Sequence, residues 1–482
     1  MQTLAIDDRA SCATTAHLPM GLDLPLLARM DRPGPRYTSY PTADRFDAGF
    51  GPANLIQALA QRRDQVVAGQ IGADAPLSLY IHIPFCASVC YYCGCNKVVT
   101  KDRSKVAPYL AALRHELQLV GEQLGPRQPL LQLHFGGGTP TYLDDEDLAG
   151  LMADIRTVFE IRPDSECSIE IDPRTVTAER LGSLSGLGFN RLSFGVQDFD
   201  VHVQQAVHRL QPYELVRDLM ASARALPFQS INVDLIYGLP RQTPQSFART
   251  IEQVLGLRPD RIAMYGYAHL PQRFKPQRRI NDAELPSGAD RVSMLGGAIS
   301  DFLAQGYEYI GMDHFALPQD ALSQAKRAGK LHRNFQGYST YPDCDLVALG
   351  VSSISRIGST YSQNAKTLDT YYAALEQGHL PTERGIWLTA EDHVRRAVIM
   401  GIMCDGAVDF EAFGLAHGLV FSDYFKHELQ ALEALQEEGL VQLSPQRLVV
   451  TAKGWFFVRA VAMVFDGYLR RSEPIQRFSK VV

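Results

Sequence analysis

The sequence predicts an α/β protein: a partial (β/α)6 TIM-like barrel of parallel strands, with an N-terminal segment before it and a mainly helical C-terminal domain after it. Two observations predict this. From about residue 77, short β-rich runs alternate with stretches whose apolar positions recur at helical spacing, and six such units follow one another. Alternation of that kind implies parallel strands joined by right-handed crossovers. The second observation is negative: beyond about residue 380 the alternation stops and helical patterns dominate.

The elements follow in order. Residues 1–75 form a polar, Pro-containing head with "DRPGPRYTSYPTADRF" (31–46), then a helix in "PANLIQALAQRRDQVVA". The barrel strands are expected in "LSLYIHIPF", "LLQLHFGGG", "CSIEIDP", "RLSFGVQ", "INVDLIYGLP" and "RIAMYGYAHL". Segments such as "VAPYLAALRHELQLVGEQL" and "DEDLAGLMADIRTVF" supply helices between them, and this barrel unit is expected to span residues 76–378. Residues 379–482 carry the helices "EDHVRRAVIMGIMC" and "YFKHELQALEALQEEGL", then "VQLSPQRLVVTAKGWFFV", a winged-helix-like order. Acids slightly outnumber bases there, so a lid or packing domain is expected and nucleic acid is not the expected partner.

Composition narrows the class. The chain has 482 residues, 46% hydrophobic and 21% charged, with a net charge of −6, so no global basic field draws it to nucleic acid or anionic lipid. The first residues lack a continuous apolar stretch of secretory type, and no apolar run approaches the ~20 residues that span a bilayer. Cys12, Cys167, Cys344 and Cys404 are scattered singly, which argues against a disulfide framework and for a reducing cytoplasm. Nothing in the sequence demands more than a monomer.

The other four of the eight cysteines stand together in "FCASVCYYCGC" (85–95). In α/β barrels, ligands gather where strands end and loops begin. That cysteine run follows the first strand. Gly136–Gly138 follow the second, Glu170 and Asp172 end the third, and Gln197, Asp234 and Ala268 mark the ends of the next three. Zinc usually takes two separated ligand pairs, whereas this is one compact run. Buried structural thiols have no reason to bunch, and a redox disulfide needs only Cys90 and Cys93. An iron–sulfur cluster remains, since soft thiolates suit iron. The spacing Cys86-x3-Cys90-x2-Cys93 lets three thiolates wrap one cube and leave its fourth iron for a small chelating ligand, whereas Cys95 reads as a neighbour of the site. "HFGGGTPTYL" (134–143) lacks the Gly-Lys-Ser/Thr of a phosphate loop, and its glycines let backbone approach a ligand closely.

The cysteine motif is that of the radical S-adenosylmethionine (SAM) enzymes. Together with "PRYTSYPTA", "YIHIPFCASVCYYCGCNKVVT", "HFGGGTPT", "RLSFGVQDF", "NVDLIYGLP", "GMDHFA" and "LHRNFQGY", it closely resembles the oxygen-independent coproporphyrinogen III oxidases. The likeness runs from about residue 30 to the terminal "QRFSKVV". The resemblance implies a 4Fe–4S cluster on Cys86, Cys90 and Cys93, with one SAM on its open iron and a second beside it. Tyr80, Gly136, Glu170, Ala268 and Ile354 match SAM-contacting positions of the family, as do Tyr92, Gly137, Gly138, Thr139, Gln197, Arg209 and Asp234. The chemistry suits those roles: Glu170 faces an ammonium, Asp234 accepts hydrogen bonds, and Arg209 pairs with a carboxylate.

The implied reaction is decarboxylation of two propionates of coproporphyrinogen III to vinyl groups, started by a SAM-derived 5′-deoxyadenosyl radical, to give protoporphyrinogen IX in haem biosynthesis. Reduced flavodoxin or ferredoxin is the implied electron donor. No catalytic acid or base is assigned: His82, His134 and His269 read as hydrogen-bonded core residues, while His314, Gln336 and Tyr338 are candidates for the cavity. Arg273, Lys275, Arg278 and Arg279 in "HLPQRFKPQRRI" (269–280) are expected either to bind substrate carboxylates or to form a solvated loop. The alternative function is that of a related haem chaperone, a group that lacks the fourth cysteine and the "PRYTSYPTA" leader; both are present here.

Overall fold

The computed structural model describes residues 24–30, 33–72, 75–341 and 343–470. Cys12, the head before residue 24 and the closing "QRFSKVV" lie outside the described residues. Six strands carry the barrel: β1 (Leu77–Ile83), β2 (Gln128–Gly137), β3 (Phe159–Ile171), β4 (Arg191–Gln197), β5 (Ser230–Tyr237) and β6 (Arg261–Gly266). They lie side by side in sequence order, each parallel to the next.

Beyond β6 the chain adds β7 (Glu308–Gly311) and β8 (His314–Ala316), which extend that edge in antiparallel fashion. The hairpin β9 (His332–Asn334) and β10 (Gly337–Ser339) forms a sheet of its own. Then β11 (Asp345–Leu349) pairs parallel with the free side of β1, and β12 (Ile354–Ile357), β13 (Thr360–Asn364) and β14 (Thr382–Trp387) continue outward. The resulting sheet has 12 strands in one open order from β14 to β7. β14 lies past the expected 378/379 boundary and still belongs to this sheet, because it pairs with β13 while Gly385 exchanges hydrogen bonds with Asp47.

Alternation along the strands divides the sheet into two faces. Leu79, Ile81, Leu133, Phe135, Ile169, Leu192, Phe194, Ile231 and Val233 are buried in the main apolar core. Helices α1 (Pro52–Val67), α2 (Val106–Leu124), α3 (Asp145–Val158), α4 (Ala178–Leu187), α5 (Tyr213–Arg224) and α6 (Pro244–Leu257) contribute to that core. α2 does so through Val106, Tyr109, Leu110, Leu113, Leu117, Val120 and Leu124, an amphipathic stripe. Thr177 and Thr243 cap α4 and α6, each accepting a backbone N–H in the first turn. The intervening strand positions are polar: Gln132, His134, Glu166, Ser168, Glu170, Arg191, Ser193, Asn232 and Asp234 line the interior. Parallel strands usually read as continuous apolar runs, so this polar row marks a binding face.

The C-terminal unit packs the helix Ala390–Asp405 against a three-stranded sheet of Ala407–Asp409, Arg447–Val450 and Val441–Leu443 and the helices around it. Tyr37 and Tyr40 of the leader are buried in this second core. Tyr37 Oη donates to Asp466 Oδ2 at 2.9 Å, and Arg459 Nε donates to Pro35 O at 3.1 Å. Arg36, between them, forms an ion pair with Asp313. The leader thus ties the C-terminal unit to the β7–β8 edge, whereas α1 packs on α2 and β12–β14.

Candidate active site

The cysteine loop begins on the two-residue strand Phe85–Cys86, which pairs parallel with Val98–Val99. Thr100 N donates to Cys86 O at 2.9 Å and Cys93 N to Cys90 O at 3.2 Å, so both ends and the middle are fixed by backbone bonds. Cys86, Cys90, Cys93 and Cys95 line one cavity of about 160 Å3 together with Gly137, Gly138, Thr139 and Arg209.

Donors and cations surround the sulfurs. Thr139 Oγ1 donates to Cys86 Sγ at 3.5 Å; Arg209 and Arg174 donate to Cys90 Sγ at 3.5 and 3.6 Å. Lys97 Nζ donates to Cys93 O at 3.1 Å. Burial pushes the Cys86 thiol up to about 11, whereas a hydrogen bond from Cys95 pulls Cys93 down to about 6. Three soft sulfur donors on one wall, with guanidinium support for negative charge, fit an iron–sulfur cluster. The fourth thiol acts on Cys93 as a hydrogen-bond partner.

The glycines make room at the cavity edge. A Cβ on Gly138 would lie 2.5 Å from Pro84 O, and one on Gly136 would lie 3.0 Å from Glu170 Oε1. Gly137 adopts φ 115°, a left-handed backbone that side chains disfavour, and its N–H donates to Glu170 Oε2 at 3.1 Å. Gln197 also ends β4 in the left-handed region at φ 70°, strain of a kind that clusters at functional sites. Arg209 is buried and bridges Asp172, Cys90 and Gly195 O. Burial alone would raise the Asp172 carboxyl, but Arg209 and Arg174 hold it below its usual range. Burial pushes the Tyr92 phenol well above its usual value.

Asp234 was expected at a strand end and instead lies inside β5, which continues to Tyr237. Ser193 Oγ and Asn232 Nδ2 donate to its two oxygens at 2.9 and 3.0 Å. Burial, then the neighbouring Glu170, pushes its carboxyl up to about 6. Tyr80, in β1, lines neither cavity; it shares a hydrogen bond with His82 Nδ1 (3.1 Å), stacks on His134 and has a ring atom 3.1 Å from where a Cβ on Gly136 would lie. Ala268 and Ile354 line neither this cavity nor the next: Ala268 O accepts from Gln277, and Ile354 sits in β12.

A second cavity of about 240 Å3 adjoins the first, and Glu170, Ser193 and Asp234 belong to the walls of both. Its far side is formed by Tyr265, His314, Asn334, Gln336 and Tyr338. His314 Nδ1 and Gln336 Nε2 are buried without a hydrogen-bond partner. Burial, with Arg333 nearby, brings the His314 ring down to about 3, so it enters the cavity neutral.

The Radical SAM superfamily profile matches residues 80–254, and the HemN C-terminal domain profile matches residues 388–457. An oxygen-independent coproporphyrinogen III oxidase of Pseudomonas aeruginosa is 49% identical over 462 residues, 95% of this chain and 98% of that protein. Its Escherichia coli K12 counterpart is 45% identical, with 95% and 98% covered. The chain belongs to the oxygen-independent coproporphyrinogen III oxidase family. The solved structure of coproporphyrinogen III oxidase (HemN) from Escherichia coli, described as a radical SAM enzyme, superposes on this family member with a TM-score of 0.87, 92% of this chain and 99% of that one being covered.

Within this oxidase-family chain, sequence reasoning missed part of the second cavity. Gln132, Glu166, Ser168, Arg191, Ser193 and Asn232 line it, and the signal was available as polar residues at every second position of strands expected to be buried. His82 and His269 are hydrogen-bonded as expected, to Asn96 O at 3.0 Å and Asp282 at 2.8 Å. His134 bonds Ser168 at 2.6 Å and also faces the cavity. The cationic residues Arg273, Lys275, Arg278 and Arg279 line neither cavity and stand exposed beside the cysteine loop. No described helix is long and apolar enough to cross a membrane.

Proposed function

We propose that this chain converts coproporphyrinogen III to protoporphyrinogen IX without oxygen, by oxidative decarboxylation of two propionate side chains to vinyl groups. The observation that carries the proposal is the common wall of Glu170, Ser193 and Asp234 between the cysteine-lined cavity and the polar cavity beside it. A bound cluster and SAM supply the one-electron chemistry that attacks an unactivated C–H bond. Cys86, Cys90 and Cys93 would hold the cluster. Gly136, Gly137 and Glu170 suit an ammonium group, and Arg209 a carboxylate. Tyr92, Gly138, Thr139, Gln197 and Asp234 offer the remaining surface, in keeping with two SAM molecules.

The neighbouring cavity receives the tetrapyrrole. Arg191 and Arg261 on its wall are ion-paired with Glu166 and Asp320, and Arg261 keeps one buried nitrogen without a partner to donate to a carboxylate. Neutral His314 and Gln336 offer polar atoms to the macrocycle. The leader and the C-terminal unit help keep water from the site. A cytoplasmic monomer reduced by flavodoxin or ferredoxin is in keeping with this reading.

The test is anaerobic reconstitution with iron and sulfide, then incubation with SAM, reductant and coproporphyrinogen III. Vinyl product with methionine and 5′-deoxyadenosine supports the oxidase. Tight haem binding without turnover identifies the chaperone instead. Cys95→Ala is expected to retain the cluster chromophore that Cys86→Ala, Cys90→Ala and Cys93→Ala each lose.

A further inference from the structure

The cationic run excluded from both cavities has a definite place. Phe274 packs on the cysteine loop so closely that a Cβ on Gly94 would lie 3.0 Å from its ring. Gln277 Nε2 donates to Tyr92 O at 2.9 Å, and the Arg279 guanidinium lies 5.2 Å from the centre of the Tyr91 ring. Three separate contacts therefore clamp residues 274–279 onto the segment that carries Cys90, Cys93 and Cys95.

Residues 269–281 hold four lysines and arginines and no acid, in a chain whose net charge is −6. The acids that follow are engaged elsewhere: Asp282 by His269 at 2.8 Å and Glu284 by Arg241 at 2.8 Å. Among the described residues, Arg273, Lys275, Arg278 and Arg279 have no carboxylate within 4.0 Å. Beside them His208 stacks on Tyr91 at 5.1 Å. A fixed group of cations without carboxylate partners, held against the cysteine loop, has the charge of a docking rim.

We infer that this face, centred on Lys275, Arg278 and Arg279, docks the acidic one-electron carrier protein that reduces the cluster. The inference rests on the proposed function, which requires an external electron. One electron leaves the partner's reduced flavin or iron–sulfur centre and enters the cluster; the partner is oxidised, the cluster reduced, and no covalent bond changes. A carrier seated here stands over the loop that bears the ligating thiols. Charge complementarity selects an acidic partner and raises its encounter rate, and four cations are too few for strong binding to duplex nucleic acid at physiological salt.

The test uses the full reconstituted chain, with Lys275→Glu/Arg278→Glu as the variant and Lys275→Arg/Arg278→Lys as the conservative control. Oxidised flavodoxin, an acidic flavoprotein, is titrated at low salt, and the rate of cluster bleaching by photoreduced flavodoxin is compared with that by dithionite. The expected result is at least a roughly tenfold loss of both flavodoxin affinity and flavodoxin-driven reduction in the charge-reversal pair. The loss should shrink as salt rises, with dithionite reduction unchanged and the control close to the parent. Equal affinity and rate in the reversed variant, with the cluster chromophore intact, would overturn the docking surface and leave the proposed function standing. A parent chain that assembles no cluster would overturn both. Binding of a short DNA duplex as tightly as flavodoxin would also overturn the assignment.

Discussion

Arg209 contacts Cys90 and Asp172 through the same nitrogen, donating to the sulfur at 3.5 Å and to the carboxylate at 3.2 Å. One buried cation thus joins the cysteine loop to the end of β3, and its other terminal nitrogen reaches Gly195 O on β4. Arg209→Gln removes the charge from Asp172, which retains only Arg174. Breaking a buried pair from one side costs about 3–5 kcal/mol, and the surviving Arg174 contact places this case near the lower end. Denaturant unfolding of the cluster-free chain checks it; a change below about 1 kcal/mol would show that the pair carries no stability.

The fold was legible because its periodicities are strong. "LSLYIHIPF" and "VAPYLAALRHELQLVGEQL" differ in apolar period, and six such alternations leave few topologies. The thiols and glycines were legible because their spacing is local. What escaped was non-local. The partnership of β11 with β1 joins residues 345 and 77, and no local pattern encodes it. Asp234 was misplaced because the apolar positions around it continue to Tyr237, extending β5 beyond the residue that faces the cavity. The run 269–280 announced its charge but not the side of the cysteine loop on which Phe274 and Gln277 would fasten it.

Asp234 gives a pH signature. Its carboxyl is raised to about 6 by burial and by Glu170, so the folded state binds a proton that the unfolded state releases near the ordinary value of about 4. A raised carboxyl is least costly below about pH 4, where both states are protonated, and the fold loses stability as pH climbs through about 6. Asp234→Asn removes that titration. It pays a roughly constant penalty of about 1 kcal/mol because its amide faces the donors Ser193 and Asn232. The stability of the variant relative to the parent should therefore rise by roughly 2–3 kcal/mol between pH 4 and pH 7. A flat difference across that range, measured by chemical denaturation, would contradict the raised carboxyl.

Two glycine substitutions should move in opposite directions. Gly138→Ala forces a methyl group to 2.5 Å from Pro84 O and 2.8 Å from Phe85 O, backbone atoms that cannot swing aside. The segment entering Cys86 must shift, at a cost of about 1–3 kcal/mol, and iron and sulfide retained after reconstitution should fall. Gly182, inside α4, has open space around the added Cβ. Gly182→Ala should stabilise the chain by about 0.5–1 kcal/mol and leave iron content unchanged. Equal iron content in both variants would show that close approach at Gly138 does not shape the cysteine loop.

The leader should report on the C-terminal unit more than on the barrel. Tyr37 is buried in the second core, to which Val458, Val461 and Phe465 also belong, and its hydroxyl reaches Asp466 Oδ2 at 2.9 Å. The other Asp466 oxygen accepts Tyr468 N and Leu469 N at 2.9 and 3.1 Å, so Tyr37→Phe leaves that carboxylate only partly satisfied. The loss is expected to be about 1–2 kcal/mol. Because β1–β3 belong to the main core, amide exchange should accelerate across Val458–Met463 while the barrel strands keep their protection. Uniform acceleration across both regions would instead make the leader part of a single cooperative unit with the barrel.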